Sequence, residues 1–303
     1  MSFSRVSGYV YGMSKIDQFE SQFRAASKSV FELESVCVRD ILIVTDMDGP
    51  QTTGFADQAR SFLTALEVCE PDQPPRYTQI CGDEFSTVQQ LLDRLENPRP
   101  DLVVTYRNLH AETADHPFSL GAYVNVLTQA TDIPTLLLPE PKILANADPS
   151  PLADKTRHVM VVTDHLAGDH HLVSMAVRFV ADDGELILSH IEDQHAFDRY
   201  MKAIDKIPDL NSELARETIS KQLLSEPQDY VESCRTVLEE QGVKHPIKPL
   251  VTFGNRIEDY CHLIEDRHID LLVMNSRDDD QLAMHGMAYP LVVELRKTPI
   301  LLV

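Results

Sequence analysis

The chain carries one pattern twice, and this repeat restricts what it can fold into. An apolar run that ends in Thr-Asp occurs at residues 41–46 (ILIVTD) and returns at residues 159–164 (VMVVTD). In each half a second apolar run, a glycine and a proline-led third run follow, and 13 positions separate that glycine from that proline in both copies. Because the repeat is far longer than the unit of a solenoid, it predicts two related domains.

Strand-like and helix-like segments alternate through the second half. Apolar strands are predicted at about 158–163, 185–191, 247–252, 270–274 and 299–303, with helices between them. Strands that are apolar throughout are buried on both faces, which favours a parallel sheet with right-handed crossovers. We therefore expect an α/β protein made of two tandem, doubly wound, parallel-sheet domains. Pro208 and Pro227 are expected to break the helical stretch from Phe197 to Gly242.

The first half is predicted to be a shortened copy of the second. Between the aspartate that ends its first strand and the next glycine turn it has 36 positions (46–82), whereas the second half has 90 (164–254). One strand and one helix of the second domain therefore have no counterpart in the first.

The predicted boundaries follow from this comparison. Residues 1–138 form the first domain, residues 139–157 a proline-rich linker without helix or strand, and residues 158–303 the second domain. Residues 1–40 stand outside the repeat as an N-terminal arm, with a helix predicted from about residue 16 to residue 33. We expect this arm to pack where the missing unit of the first domain would lie.

Composition limits the partners and the compartment. Acidic residues outnumber basic ones by 48 to 27, a net charge of −21, so we expect neither a nucleic-acid nor a membrane partner. A solvated acidic surface is favoured over an acidic docking face for a basic partner. The chain has no apolar run of membrane-spanning length and no secretory signal, which predicts a cytoplasmic protein. Its five cysteines form no C-x-x-C pair, which argues against a disulfide framework and a structural zinc site.

The order of these segments resembles the universal stress protein family, whose domain is a five-stranded doubly wound α/β unit. The resemblance rests on two glycine turns, 81–83 (CGD) and 253–255 (FGN), and on two closing segments, 121–134 and 286–299. It covers roughly 41–138 and 158–303. Single-domain members of the family pair through their last strands, so the resemblance implies an intramolecular pseudo-dimer in which residues 134–138 and 299–303 lie close together. A further homodimer is left open.

The family's nucleotide-binding members carry G-x2-G-x9-G-[ST] after the fourth strand, where glycines let backbone amides approach phosphates. In the corresponding loop of the first half Gly121 is the only glycine, and Ala122 follows it instead of a hydroxyl residue. In the second half three acids stand at 278–280, and Met287 follows Gly286. We therefore expect degenerate nucleotide sites and weak or absent ATP binding, with the cationic Arg107 favouring the first half.

Residues at the strand ends and at the ends of these loops are the candidates for ligand contact. They are Asp46, Arg107, Asn108, Gly121 and Ala122 in the first half and Asp164, Asn275, Arg277, Gly286 and Met287 in the second. The two aspartates are equally well explained as helix or loop caps. A zinc site is a weaker hypothesis, since loop histidines are more often solvated. Its candidate ligands are Asp164, His165, His170, His171 and His190.

The sequence contains no G-x-S-x-G elbow, no H-E-x-x-H and no P-loop, so we expect a protein that is not an enzyme. The favoured interpretation is a stress-response or signalling protein whose tandem domains act as a scaffold for an unidentified protein partner. The alternative is a sensor that holds ATP, another nucleotide or another small molecule in at least one crevice.

Overall fold

A single nine-stranded sheet runs through both halves of the chain. The computed structural model describes residues 30–69, 74–111, 118–148, 150–152, 155–163, 166, 168–207, 211–276 and 287–303. The strands are β1 (Asp40–Val44), β2 (Arg76–Ile80), β3 (Leu102–Thr105), β4 (Thr135–Leu137), β5 (His158–Val162), β6 (Glu185–Asp193), β7 (Ile247–Gly254), β8 (Leu271–Met274) and β9 (Ile300–Leu302).

Helices connect most of these strands. They are α1 (Gly49–Phe62), α2 (Thr64–Cys69), α3 (Val88–Glu96), α4 (Ala122–Ala130), α5 (Pro141–Asn146), α6 (His170–Arg178), α7 (Gln194–Ile204), α8 (Ser212–Glu240), α9 (Arg256–Asp266) and α10 (Ala288–Glu294). In the part of the chain that the structure describes, none of them is both long and apolar enough to cross a bilayer.

The central strands are buried on both faces, as their uninterrupted apolar sequences predict. In β5, Val159 and Val161 face one apolar cluster, whereas Met160 and Val162 face the other. This alternation follows from the two-residue period of a strand, and it requires covering layers on both sides of the sheet. The expected doubly wound α/β architecture is therefore confirmed.

The two halves join through their last strands. The strand order is β2-β1-β3-β4-β9-β8-β5-β6-β7, in which the neighbours are parallel except β4 and β9. Those two run antiparallel, with Leu136 opposite Leu301 and Leu137 opposite Ile300. The antiparallel junction is what a pseudo-twofold arrangement of two parallel sheets requires, and it places residues 134–138 beside residues 299–303 as predicted.

The first half is shorter by one strand. β2 pairs with β1 as β6 pairs with β5, but in the described residues no strand lies outside β2, whereas β7 lies outside β6. The interval between matching residues is 36 positions in the first half and 90 in the second, and this difference corresponds to a missing outer strand.

Two predictions that relied on proline as a helix breaker are wrong. Residues 141–146 of the expected linker form α5, because Pro141 occupies the first turn, where its missing N–H has no helical partner in any case. Pro227 lies inside the 29-residue helix α8, and it is buried there together with Tyr230 and Val231. Apolar packing of that face keeps the helix continuous despite the lost hydrogen bond.

Residues 31–34 of the N-terminal arm lie on the second half, not beside β2. The Phe31 amide donates to Ser233 Oγ on α8 (2.7 Å), the Glu34 amide donates to Ser174 Oγ on α6 (3.0 Å), and Phe31 is fully buried. Residues 30–33, predicted as the end of a helix, have no helical structure. Residues 1–29 lie outside the described residues.

Candidate functional site

In a doubly wound sheet a ligand binds outside the carboxyl ends of the strands, where the strand order changes direction. In the first half this position lies between β1 and β3, since the chain passes from β1 to β2 on one side and then returns to β3 on the other. Asp46 follows β1, and residues 106–111 follow β3. We refer to the space between these two strand ends as the first crevice.

In the first crevice the Asp46 carboxylate accepts hydrogen bonds from the loop after β3. The Tyr106 hydroxyl donates to one carboxylate oxygen of Asp46, and the His110 amide donates to the other (2.7 Å). Burial, followed by the hydrogen bond with Asp46, raises the pKa of Tyr106, so this hydroxyl stays protonated and remains a donor. The carboxylate that was predicted to contact a ligand is therefore satisfied by the protein itself.

Aromatic side chains cover the same end of the sheet. The Phe85 ring, from the segment after β2, lies 4.7 Å from the ring of His110 and 5.4 Å from that of Tyr123 on α4. The His110 and Tyr123 rings are 5.3 Å apart. These spacings are those of packed aromatic pairs, so the three side chains form a plug over the strand ends. No sequence pattern predicted the plug, because its only signal is three aromatic residues that lie near loop ends.

Gly121 has a steric role in this arrangement. Its φ is +84°, and a Cβ at this position would lie 2.8 Å from Cα of Asn108. The buried Asn108 is itself in the left-handed region, at φ 59°, and its amide donates to the Leu120 carbonyl (2.8 Å). The predicted contact residues Asn108 and Gly121 are thus packed against each other, whereas Ala122 is exposed at the start of α4.

Arg107 points to the junction between the halves. Its guanidinium donates to the carbonyls of Val292 (2.7 Å) and Val293 (3.0 Å) near the end of α10. Glu140 is the nearby acid, with Oε1 4.0 Å from Nε. Burial lowers the pKa of Arg107 to about 10, which leaves the group charged at neutral pH. Arg107 was predicted to favour phosphate binding. These hydrogen bonds instead pair its guanidinium with backbone carbonyls of the second half.

An open cleft of about 620 Å³ lies between α1 and α5 and reaches the first crevice at its base. Helix α1 contributes one face to the cleft, and α5 contributes the facing wall. The residues after β1 and β3 form its base. The lining is Asp46, Met47, Gln51, Gly54, Phe55, Gln58, Tyr106, Arg107, Asn108, Ala111, Glu140, Pro141, Lys142, Leu144 and Ala145. The sequence did not predict this cleft, because residues 141–146, which form α5, were expected to lie in an irregular linker.

The corresponding crevice of the second half is described only in part. Asn275, after β8, donates through Nδ2 to Oδ2 of Asp169 (2.7 Å), and burial raises the pKa of that aspartate. Met287 packs in an apolar cluster that contains residues of both halves. The remaining candidates of this half, Asp164, Arg277 and Gly286, lie outside the described residues.

The histidines proposed as zinc ligands have other contacts. His170 Nδ1 accepts from the Glu32 amide (3.2 Å) and lies 3.0 Å from the Tyr230 hydroxyl, while His171 Nδ1 lies 2.8 Å from a carboxylate oxygen of Glu34. Nε2 of the buried His190 lies 3.1 Å from Oε2 of Glu192. These three histidines form no metal-ligand group among the described residues, which exclude Asp164 and His165.

One group of three potential metal ligands occurs in the described part of the chain. Cys81, Asp83 and Glu84, in the glycine turn after β2, bring one ligand atom each within 4.8 Å of one another. Asp83 and Glu84 are exposed, and Glu84 accepts from the Cys81 amide (2.8 Å). This hydrogen bond accounts for the turn without a metal.

The architecture and the crevice define a tandem doubly wound α/β protein whose halves share one sheet. Residues 155–285 match the model of the universal stress protein family. This match falls in the second half of the chain.

One solved structure extends the likeness in fold to both halves. A putative universal stress protein from Pseudomonas aeruginosa UCBPP-PA14 is 12% identical, with 88% of this chain and 93% of that chain covered at a TM-score of 0.50. A universal stress protein from Archaeoglobus fulgidus DSM 4304 is also 12% identical, with coverage of 88% and 85% and a TM-score of 0.46. No curated protein matches the sequence significantly.

Proposed function

We propose that this protein is a non-enzymatic binding protein of the stress response, whose joined halves act as a scaffold and whose first crevice does not hold a nucleotide. One observation carries the proposal: the Asp46 carboxylate, beside which a nucleotide would lie, already has partners within the protein. Both oxygens of Asp46 accept hydrogen bonds from the loop after β3, and the aromatic plug of Phe85, His110 and Tyr123 covers the strand ends. A nucleotide would have to displace both.

Electrostatics supports the same conclusion. Arg107, a cation two residues after β3, donates to carbonyls of the second half, so its guanidinium already has partners within the protein. In the second half the loop after β8 carries Asp278, Asp279 and Asp280. Each of these carboxylates would repel a phosphate by about 1 kcal/mol at contact even in water.

Titration with magnesium-ATP tests the proposal. We expect millimolar ATP to raise the melting temperature by less than about two degrees, because a ligand near its dissociation constant adds only about 0.4 kcal/mol. Native mass spectrometry of the freshly purified protein should find no co-purifying nucleotide. A calorimetric titration with micromolar affinity would overturn the proposal. Loss of such binding in Arg107→Ala would then locate the site in the first half, and loss in Asp164→Ala in the second.

A second candidate function is a small-molecule sensor, and the cleft between α1 and α5 favours it. A cleft of about 620 Å³ is within the size range of ligand pockets, and its lining combines apolar side chains with amides and buried polar groups. The two functions are compatible, since a scaffold whose partner binding depends on an occupied cleft would be both.

A further inference from the structure

The face that α1 presents to the cleft has an unusual shape. Gln51, Gly54, Phe55 and Gln58 line the cleft together, because positions three, four and seven apart lie on one side of a helix. The two glutamines are exposed and stand about 10 Å apart along the helix axis at 1.5 Å per residue. Between them Gly54 offers bare backbone, and the buried Phe55 ring lies beside it.

Gly54 is not required by the helix or by its packing. A Cβ at this position would meet no atom within 4 Å, and Gly54 has no left-handed φ. Glycine is among the least favourable residues in a helix interior, so local structure alone would select another residue. What Gly54 provides is a flat surface on the wall of the cleft.

The charges around the cleft do not favour an ion. Asp46 and Glu140 contribute two carboxylates, and Arg107 and Lys142 contribute two cations, so the lining has no net charge. The carboxylate of Asp46 and the guanidinium of Arg107 already have partners in the protein. A charged ligand would lose its hydration without gaining a surplus of opposite charge.

The opposite wall is suited to an apolar surface. Pro141, Leu144 and Ala145 of α5 face the cleft, and Met47 lies at its base. Methionine sulfur packs favourably against aromatic rings, and flat rings bury a large apolar area with little loss of conformational entropy. A flat ring system between α1 and α5 would contact Gly54 on one side and these residues on the other.

We propose that the cleft between α1 and α5 binds an uncharged, flat aromatic molecule with a hydrogen-bonding group at each end. Its rings lie over Gly54 beside Phe55, and its two polar ends meet the side-chain amides of Gln51 and Gln58. The proposal specifies the ligand of the sensor function described above and rests on it.

The test uses a matched pair of ligands. 7-Hydroxy-9H-fluorene-2-carboxamide is flat, because a methylene bridge holds its rings coplanar, and it is uncharged with a polar group at each end. 7-Hydroxy-9H-fluorene-2-carboxylic acid has the same shape with one negative charge. Calorimetry and saturation-transfer NMR should give a dissociation constant for the amide on the order of a few hundred micromolar, from the efficiency of drug-sized ligands. The acid should bind at least about fivefold more weakly.

Two leucine substitutions on the same helix locate the site. Gly54→Leu fills the cleft and should weaken amide binding at least about tenfold. Gly49→Leu is its control, because Gly49 also has no atom within 4 Å of a Cβ but does not line the cleft. Since both positions are exposed, both variants should fold, and thermal melting verifies this.

Three results would overturn the inference. They are no detectable binding of the amide at about 1 mM, equal binding to the Gly54→Leu variant, and equal affinity for the acid and the amide. The magnesium-ATP titration is read separately. Tight ATP binding would contradict the proposed function without affecting the amide result, whereas failure of the amide alone would leave the hydrogen bonds of Asp46, on which the proposed function rests, as described.

Discussion

Replacement of Arg107 tests whether this residue joins the two halves. Arg107 follows β3 of the first half by two residues. Its guanidinium donates to the carbonyls of Val292 and Val293 at the end of α10 in the second half. The whole Arg107 side chain is buried, with only 7% of it exposed. In Arg107→Ala these carbonyls lose a charged donor, and Glu140 loses the guanidinium 4.0 Å away.

The expected cost follows from these contacts. A hydrogen bond to a charged group contributes about 1.5–3 kcal/mol, and removal of one partner of a buried ion pair costs about 3–5 kcal/mol. Because the two effects share the same atoms, we expect a total of about 3–5 kcal/mol rather than their sum. For a chain of this size that loss corresponds to a decrease in melting temperature of roughly 5–8 °C.

Scanning calorimetry of three variants measures this effect. Arg107→Lys should recover only part of the loss, since an ammonium lacks the planar fork that reaches two carbonyls. Arg99→Ala is the matched control, because Arg99 pairs with Asp132 at the surface, where the two side chains are 56% and 68% exposed. Such a pair contributes at most about 1 kcal/mol. If Arg107→Ala lowered the melting temperature no more than Arg99→Ala, the assignment of Arg107 as a junction residue would be wrong.

Three further predictions concern the core and the buried titratable groups. Leu301→Ala, at the centre of the β4–β9 junction, should destabilise the protein by about 2–5 kcal/mol in chemical denaturation, because this leucine is fully buried. Burial raises the pKa of Cys234 to about 12, so a thiol reagent at pH 8 should modify the exposed Cys37 rapidly and Cys234 only after unfolding. The pKa of Asp169 is raised by burial, so the folded state holds its proton more tightly than the unfolded chain does. As pH falls from neutral into the range between that raised pKa and about 4, the wild type should therefore gain stability relative to Asp169→Asn, measured as melting temperature against pH.

Each of these three predictions has an outcome that would contradict it. A Leu301→Ala variant as stable as the wild type would mean that the junction contributes little. Modification of Cys234 at the rate of Cys37 would mean that α8 opens readily from the sheet. Parallel pH profiles for the wild type and Asp169→Asn would mean that burial does not perturb this carboxyl.

The sequence alone determined the architecture. The duplicated apolar runs, such as 41–44 and 159–162, are long enough for a strand and too uniformly apolar for a surface, so they require a sheet covered on both faces. The unequal spacing of matching residues predicted the missing strand of the first half. The pairing of the last strands came from the family resemblance, and the antiparallel register of β4 and β9 agrees with it.

Only the tertiary structure decided what the candidate site residues contact. Proline rules describe an isolated helix, and they failed at Pro227 because packing against the rest of the second half offsets the missing hydrogen bond. The sequence placed Arg107 at the end of a strand beside Asp46, but the direction of a long side chain depends on which acceptors lie within its reach. Those acceptors belong to residues 185 positions further along the chain, and no local pattern encodes such a distance. The cleft likewise exists because α1 and α5, far apart in sequence, leave space between them at Gly54, and that space is a property of packing.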